Sequence, residues 1–253
     1  MIGAPVLAGT SALRTGAGLV QVAVPQSILP AAISITPELI GLALGKMIGA
    51  DSLLEDAQKA DAIVMGPGLG QSRLAAARVS RLIQLDKPMV VDADGLNLLA
   101  AGKRWPGRFR AHAVLTPHPG EMARLVKLIG RDKVPSDEAG RTEIAAKAAV
   151  SFGQVVVLKG HRTIVTDGQS VYVNDTGDSS LSKAGTGDVL SGIVGTLLAQ
   201  KMNRLSAAIA AVWIHGRAGE LAGQRIGRRS VLSREVIEEI PAAIAEYERR
   251  EKR

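Results

Sequence analysis

Short apolar runs alternate with longer helical patterns along this chain, and this alternation constrains the fold more than any other feature. The runs resemble buried strands and comprise Leu19–Val24, Ala62–Met65, Met89–Val91, Ala113–Leu115 and Val155–Leu158. The helical patterns comprise Ser72–Leu85, Gly120–Leu128, Arg141–Phe152, Gly187–Ala199 and Ser206–Leu221. Such alternation predicts βαβ units, that is, a mostly parallel sheet flanked by helices. Two further runs, Thr163–Thr166 and Val171–Val173, flank Asp167-Gly168 and predict a hairpin at one end of the sheet.

The length and composition suit one packed domain. The chain has 253 residues, 46% of them hydrophobic and only 2% aromatic. Ala, Val, Leu and Ile must therefore build the core, as expected where helices pack closely on a parallel sheet. We predict a single domain over residues 1–253.

Charge and cysteine content narrow the class of protein. The net charge is +7, but the basic residues are dispersed, and the densest run, Arg249–Arg253, is expected to be a solvated tail. With few aromatic side chains for base stacking, a nucleic-acid partner is not predicted. The absence of cysteine favours an intracellular setting. The uncharged stretch Thr15–Pro37 is broken by Pro and Gly, so we predict no membrane span, no signal peptide and a cytoplasmic location.

Polar or glycine-rich turns follow the predicted strands. They are Gly66-Pro-Gly-Leu-Gly70, Asp92-Ala-Asp-Gly95, Thr116-Pro-His-Pro-Gly-Glu121 and Lys159-Gly-His-Arg-Thr163. In an open parallel sheet, ligands bind beyond the carboxyl ends of the strands. These turns are therefore expected to converge on one crevice.

A glycine-rich turn, Lys183-Ala-Gly-Thr-Gly-Asp188, opens a predicted helix. The free N–H groups and positive dipole end of a helix N-terminus bind phosphate. Asp188 is a poor phosphate ligand, but it suits a general base that takes a proton from an attacking hydroxyl group. The alternative is an ordinary first-turn aspartate. Lys183 is a further candidate to contact phosphate.

Other polar residues leave two interpretations open. Asp92 and Asp94 form either a metal-binding pair or, for Asp94, the cap of a helix that begins near Leu96. Glu121 is either a helix cap or a ligand-binding residue. The remaining histidines, His112, His161 and His215, show no metal-ligand spacing with one another.

The ordered motifs resemble those of the ADP/ATP-dependent NAD(P)H-hydrate dehydratases of the ribokinase-like superfamily. The resemblance covers nearly the whole chain. The motifs are Gly3-Ala-Pro5, Ala12–Val20, Gly66–Gly70, Val91–Leu99, Leu115–Glu121, Leu158-Lys-Gly160 and Gly185–Gly192. The resemblance implies a doubly wound α/β fold and repair of hydrated NADH or NADPH. In that reaction ADP or ATP, with Mg²⁺, phosphorylates the ring hydroxyl, and loss of phosphate restores the double bond.

The resemblance also assigns residues. Asp188 is implied as the base, and Gly185 and Gly187 as backbone donors to the transferring phosphoryl group. The implied substrate contacts are Ala4, Gly68, Gly70, His118 and Asp188. The predicted nucleotide contacts are Lys159, Gly160, His161, Arg162, Thr163, Lys183, Gly185, Thr186 and Gly187. No metal-ligating residue is assigned.

The chain departs from the family at its start. Relatives begin with a further strand and a Gly-Gly-Ser loop, whereas this sequence starts at Met1-Ile-Gly-Ala-Pro5. We therefore expect that either the true start lies upstream or the sheet lacks its first strand, and we expect no epimerase domain of the kind that some relatives carry. Two alternatives to the dehydratase remain: a superfamily kinase acting on a hydroxymethylpyrimidine or thiazole alcohol, and a catalytically inactive nucleotide-binding protein. The Thr116–Glu121 and Asp92–Asn97 segments favour the dehydratase. The sequence leaves the assembly state open; relatives form homo-oligomers, and the low-charge N-terminal region could supply such an interface.

Overall fold

The computed structural model of the protein describes residues 1–45, 52–102 and 109–251. Within these ranges the strands are β1 (Gln21–Pro25), β2 (Ile40–Leu44), β3 (Ile63–Met65), β4 (Pro88–Val91), β5 (His112–Leu115), β6 (Val155–Leu158), β7 (Ile164–Thr166) and β8 (Val171–Val173). Strands β3 to β8 form one sheet in chain order. β3 to β6 are parallel, and β7 and β8 add an antiparallel hairpin at the edge. The predicted mostly parallel sheet and its terminal hairpin are confirmed.

The first two strands form a separate parallel pair, in which Gln21 lies opposite Ile40 and Pro25 opposite Leu44. The run predicted over Leu19–Val24 corresponds to β1, which begins two residues later. β2 was not predicted. Its residues are mostly exposed or half-buried and include Gly41. The predicted absence of a preceding strand stays a prediction.

Helices surround the sheet. They are α1 (Gly3–Arg14), α2 (Leu29–Ile35), α3 (Leu53–Lys59), α4 (Arg73–Leu82), α5 (Ala93–Ala101), α6 (Pro119–Leu125), α7 (Glu138–Phe152), α8 (Thr186–Ala199), α9 (Arg204–Ile226) and α10 (Ser233–Glu251). Several begin where a polar side chain caps a free N–H group. Ser72 accepts from Ala75 N at 3.1 Å, Asp137 from Gly140 N at 2.8 Å, and Asn203 from Ser206 N at 2.9 Å.

Alternate residues of the strands face two separate cores. Val90 and Val114 belong to a cluster with α8, α9 and α10, whereas Met89 and Leu115 pack with α4 to α7 on the other face. Because successive side chains of a strand point to opposite faces, this division places helices on both sides of the sheet. The doubly wound architecture is thus confirmed.

Small residues let α8 approach its neighbours closely. A Cβ atom on Gly192 would lie 2.0 Å from Ser11 Oγ of α1, and one on Gly195 would lie 2.4 Å from a methyl carbon of Val64 in β3. No larger residue fits at these positions without displacing the helix. The glycines therefore fix where the N-terminus of α8 meets the carboxyl ends of the strands.

The structure differs from the sequence analysis near two helix ends. The Arg249–Arg253 run was expected to be a solvated tail; Arg249 and Arg250 are exposed, but they belong to α10, which extends to Glu251, and the Arg250 guanidinium lies 5.6 Å from the centre of the Trp213 ring. Residues 252 and 253 lie outside the described ranges. The helix expected to begin near Leu96 begins at Ala93, directly after β4.

Candidate active site

The turns after four neighbouring strands meet the N-terminus of α8. Lys159 after β6 contacts Asp92 after β4 at 2.6 Å, and its Nζ lies 3.9 Å from Glu121 Oε2 in the turn after β5. A Cβ atom on Gly187 would lie 3.3 Å from the same Nζ. The predicted convergence of these turns is therefore observed, and two acidic side chains, Asp92 and Glu121, lie with Lys159 near Gly187 and Asp188.

Asp188 lies in the first turn of α8, partly shielded from water. Burial, with added repulsion from Asp92 and Glu121, raises its pKa to about 6, while Lys159 opposes the rise. An exposed first-turn aspartate would instead be favoured as an anion by the helix dipole. A carboxylate with a pKa near the working pH is suited to accept a proton.

Asp92 and Asp94 do not form a pair, because they face different partners. The Asp92 carboxylate accepts from Lys159 Nζ at 2.6 Å and from Ser191 Oγ at 2.8 Å. Asp94 accepts from Gly70 N at 2.8 Å and Gln71 Nε2 at 3.0 Å, so it holds the glycine turn after β3 rather than capping α5. Among the described residues, no group of three or more His, Cys, Asp or Glu side chains is placed to hold a metal ion.

His118 and Glu121 cap α6 reciprocally. His118 Nδ1 accepts from Gly120 N at 2.9 Å and Glu121 N at 3.4 Å, while Glu121 Oε2 accepts from His118 N at 2.8 Å. Since Nδ1 is an acceptor, a neutral His118 carries its proton on Nε2. The ring is half-exposed and presents this Nε2–H at the crevice, 3.5 Å from Glu121 Oε1.

Glu121 therefore fits both interpretations left open by the sequence. It is a cap, and it is also a buried acid in the charged cluster. Burial raises its pKa, with Lys159 acting against the rise.

Three of the residues assigned to the substrate, Ala4, Gly68 and Gly70, lie on two neighbouring segments. A Cβ atom on Gly68 would lie 3.4 Å from Ala4 Cβ, and the Met1 amino group donates to Gly68 O at 3.2 Å. Gly70 has a φ of +75° and open space where a side chain would be. α1 and the turn after β3 thus bring Ala4, Gly68 and Gly70 to one side of the crevice.

The Lys159–Thr163 turn is held by its own contacts. Thr163 Oγ1 donates to Gly160 O at 3.0 Å, and Arg141 donates to His161 O at 2.7 Å. Arg162, at a φ of +53°, forms an ion pair with Glu138 at the start of α7. The side chain placed in the charged cluster is therefore that of Lys159. Nucleotide contacts by the other four residues stay predictions.

The Lys183–Gly187 turn is shaped before α8 begins. Gly185 has a φ of +93°, a conformation that favours glycine. Thr186 is buried, and its hydroxyl donates to Leu181 O at 2.8 Å and Lys183 O at 2.9 Å, so this side chain braces the turn. Lys183 is exposed. Phosphate contacts by the turn stay predictions.

Two residues of the site were missed in the sequence. Ser191 lies one turn after Asp188 and binds Asp92. His215 of α9 is buried beneath the turn, where burial lowers its pKa to about 4 and it bonds to the Thr186 backbone. A lone serine and a lone histidine inside apolar helices carry no spacing signal, so only tertiary contact reveals them.

A doubly wound sheet, with a carboxylate in the first turn of a helix that follows a glycine-rich turn, is the arrangement expected of the ribokinase-like class of folds. Within the described residues, no helix is long and apolar enough to cross a membrane. The family model for NAD(P)H-hydrate dehydratase matches residues 1–242. The chain belongs to this family.

Curated relatives support the assignment. The ADP-dependent (S)-NAD(P)H-hydrate dehydratase of Neisseria meningitidis is 40% identical over 233 residues, which cover 90% of this chain and 75% of the relative. The bifunctional NAD(P)H-hydrate repair enzyme Nnr of Moorella thermoacetica is 38% identical over 98% of this chain. This chain spans 48% of that relative's length, about half, as for several other curated relatives it matches.

Solved structures agree with the fold. The ADP/ATP-dependent NAD(P)H-hydrate dehydratase of Bacillus subtilis, co-crystallised with ATP/Mg²⁺, superposes with a TM-score of 0.80 at 29% identity, covering 98% of this chain and 86% of the other. The hydroxyethylthiazole kinase of Pyrococcus horikoshii superposes with a TM-score of 0.68 at 17% identity, covering 94% and 92% of the two chains. The second likeness shows the fold alone.

Proposed function

We propose that this protein is a nucleotide-dependent hydro-lyase that restores NADH or NADPH from the hydrated cofactor. The observation that carries the proposal is Asp188, a shielded carboxylate with a pKa raised to about 6, at the N-terminus of α8 and near Lys159. Membership of the NAD(P)H-hydrate dehydratase family supports the substrate class.

In the first step, Asp188 accepts the proton of the ring hydroxyl. The hydroxyl oxygen forms a bond to the terminal phosphorus of ADP or ATP, and the bond from that phosphorus to its bridging oxygen breaks. Charge builds on the phosphoryl oxygens and the leaving group. The Lys159 ammonium and the backbone N–H groups of Gly185 and Gly187 are suited to stabilise it.

In the second step, the ring carbon–oxygen bond breaks and the phosphate group leaves. A proton passes from the adjacent ring carbon to water, and the electrons of that carbon–hydrogen bond restore the double bond. Phosphorylation is needed because hydroxide is a poor leaving group and phosphate a good one. His118 presents an Nε2–H donor at the crevice, which suits it to orient the dinucleotide rather than to take up a proton.

The charged cluster suits Mg²⁺ delivered with the nucleotide. Mg²⁺ is usually bound by one or two carboxylates together with phosphate oxygens and water. The described residues offer no dedicated cage of three or more acidic or histidine ligands. The ion supplies positive charge to the phosphate oxygens, while the protein contributes Lys159 and the backbone donors.

The decisive assay supplies hydrated NADH with ADP or ATP and Mg²⁺ and follows recovery of dihydronicotinamide absorbance. We expect turnover that needs the nucleotide. Asp188→Asn should retain nucleotide binding and lose nearly all turnover, whereas Asp61→Asn, at an exposed pair with Lys201, should match the wild type. No recovery by folded wild-type protein would overturn the proposed function, and normal turnover by Asp188→Asn would overturn the assigned base.

We also infer the setting in which the enzyme acts. Its substrates are small intracellular metabolites, so we assign it to the cytoplasm with no nucleic-acid or membrane partner. A homo-oligomer is supported by Leu19, Ile35 and Ile40, whose apolar side chains are exposed around β1, α2 and β2. Light scattering on wild-type protein and on Leu19→Ser should give a smaller mass for the variant. A monomeric wild type would contradict this assembly.

A further inference from the structure

Asp92 is the most enclosed charged group of the site, and both of its carboxylate oxygens are engaged. It is 1% exposed. Oδ1 accepts from Lys159 Nζ at 2.6 Å, and Oδ2 accepts from Ser191 Oγ at 2.8 Å. Ser191 also contacts Gly187 O at 3.2 Å. One side chain therefore links β4, the turn after β6 and the first turns of α8.

The backbone around Asp92 is also held in place. Asp92 N donates to Met65 O at 3.0 Å. A Cβ atom on Gly66 would lie 1.8 Å from Asp92 O, so the turn after β3 closes against it. Ala93 follows with a φ of +48°, which costs an alanine about 1 kcal/mol or more. Such strain persists only where the surroundings fix the conformation, so the backbone that follows Asp92 is held in place.

We propose that Asp92 is a positioning residue that holds the Lys159 ammonium beside Gly187 and Asp188 for phosphoryl transfer. The proposal rests on the proposed function. Lys159 has a long flexible stem, and its other acidic neighbour, Glu121, lies at 3.9 Å. Asp92 is the closer and more tightly bound of these two partners, so it decides where the ammonium lies.

Three charged groups act on Asp188 from the elements packed around it. They are Asp92 at the β4–α5 junction, Glu121 in α6 and Lys159 after β6. Among the charged groups, Asp92 contributes most to the raised pKa of Asp188. Asp92→Asn should therefore displace Lys159 and also lower the pKa of Asp188. The two effects can be measured separately.

The main test compares Asp92→Asn with Asp61→Asn, the same change in a surface pair with Lys201. At a pH where Asp188 is fully ionised, we expect Asp92→Asn to lower kcat by about 10- to 100-fold, the cost of misplacing a catalytic group by about 1 Å. The acid limb of its pH profile should move to lower pH. Asp61→Asn should show neither change.

A double-mutant cycle with Lys159→Met separates positioning from a general structural role. If Asp92 acts through Lys159, adding Asp92→Asn to Lys159→Met should change kcat by less than about threefold on the alkaline plateau. Losses that multiply independently would overturn the proposal. Wild-type kcat and an unmoved acid limb in Asp92→Asn would overturn it too.

Two further measurements keep the proposal testable if Asp92→Asn unfolds or the dehydratase assay fails. Ser191→Ala removes one of the two contacts of Asp92 while leaving its charge, and should lower kcat by about threefold to tenfold; wild-type kcat would count against the proposal. A carboxyl ¹³C NMR titration of Asp188, assigned by comparison with Asp188→Asn, needs no turnover. If Asp188 titrates at the wild-type pH in Asp92→Asn, the link between the two carboxylates is absent, whatever the substrate.

Discussion

Glu121 and His118 bind each other's backbone at the start of α6, and this exchange fixes both side chains at the crevice. The Glu121 carboxylate accepts from His118 N at 2.8 Å, while His118 Nδ1 accepts from Glu121 N at 3.4 Å. Helix capping and the proposed orientation of the substrate therefore depend on the same two side chains. A change at Glu121 should affect both.

Glu121→Ala should destabilise the fold by about 1 kcal/mol, the usual cost of a lost cap. It should also raise the KM for hydrated NADH, because the His118 segment loses its support. Glu121→Gln is the matched control, since its amide oxygen can still accept from His118 N. Thermal unfolding and KM measurements check the pair. Equal KM values in the two variants would show that the cap does not orient His118.

The rate should depend on pH through Asp188. A general base works only when ionised, and burial followed by repulsion from Asp92 raises its pKa to about 6. We expect kcat/KM to decrease as the pH is lowered past about 6, because one proton-accepting group becomes protonated. The profile is measured from mildly acidic to mildly alkaline pH. An acid limb near the ordinary aspartate pKa would show that Asp188 is not the group being titrated.

Removing the Asp188 charge should stabilise the protein while abolishing turnover. Its folded-state pKa is about 6 against a usual 3.8, so ionisation at neutral pH opposes folding. Asp188→Asn should gain about 1 to 3 kcal/mol in the free energy of unfolding at pH 7. The gain should shrink as pH falls through 6 and vanish below 3.8, where aspartate is protonated in both states. Denaturant unfolding at several pH values checks this, and a gain that persists at acid pH contradicts it.

A methyl group at Gly187 should harm nucleotide binding without harming the fold. A Cβ atom there would lie 3.3 Å from Lys159 Nζ, in the space that phosphate oxygens must enter. Gly187→Ala should weaken ADP binding by about tenfold or more, and helix propensity should leave its melting temperature unchanged or raised. Gly18→Ala, with open space around its Cβ, is the control. Calorimetric titration with ADP measures the affinity of both variants. An unchanged affinity in Gly187→Ala would show that the phosphate does not bind beside Gly187.

Gly192→Ala should instead affect stability. Its Cβ atom would lie 2.0 Å from Ser11 Oγ and 2.1 Å from Ala8 O, so α1 must move away from α8. We expect a loss of at least about 2 kcal/mol. A Cβ atom on Gly223 in α9 would lie 3.2 Å from the flexible Arg228 side chain and 3.5 Å from Ser180 Cβ, an ordinary contact distance, so Gly223→Ala should be nearly neutral. Comparable losses in both variants would contradict the close α1–α8 contact.

Local sequence patterns predicted most strands of the parallel sheet and the turns that hold the candidate site residues. The runs at β3 to β6 are short, apolar and bounded by turn residues, and strands buried on both faces show this pattern. α1 was not predicted because its burial depends on close contact with α8, and β2 was not predicted because it packs on β1 and α2, which no regular period reveals. The C-terminal helix was not predicted because the interpretation of its basic end rested on charge alone. In the structure, Arg250 contacts the Trp213 ring.

The order of motifs and the residue types in each turn determined the class of fold, the candidate base Asp188 and the family resemblance. These are properties of neighbouring residues, which chain order preserves. Tertiary structure alone decided that Asp92 holds Lys159 rather than pairing with Asp94, that Asp94 supports Gly70, and that Ser191 and His215 lie at the site. The physical reason is distance: Asp92 and Lys159 are 67 residues apart in the chain, and only the parallel packing of their strands brings opposite charges within 2.6 Å.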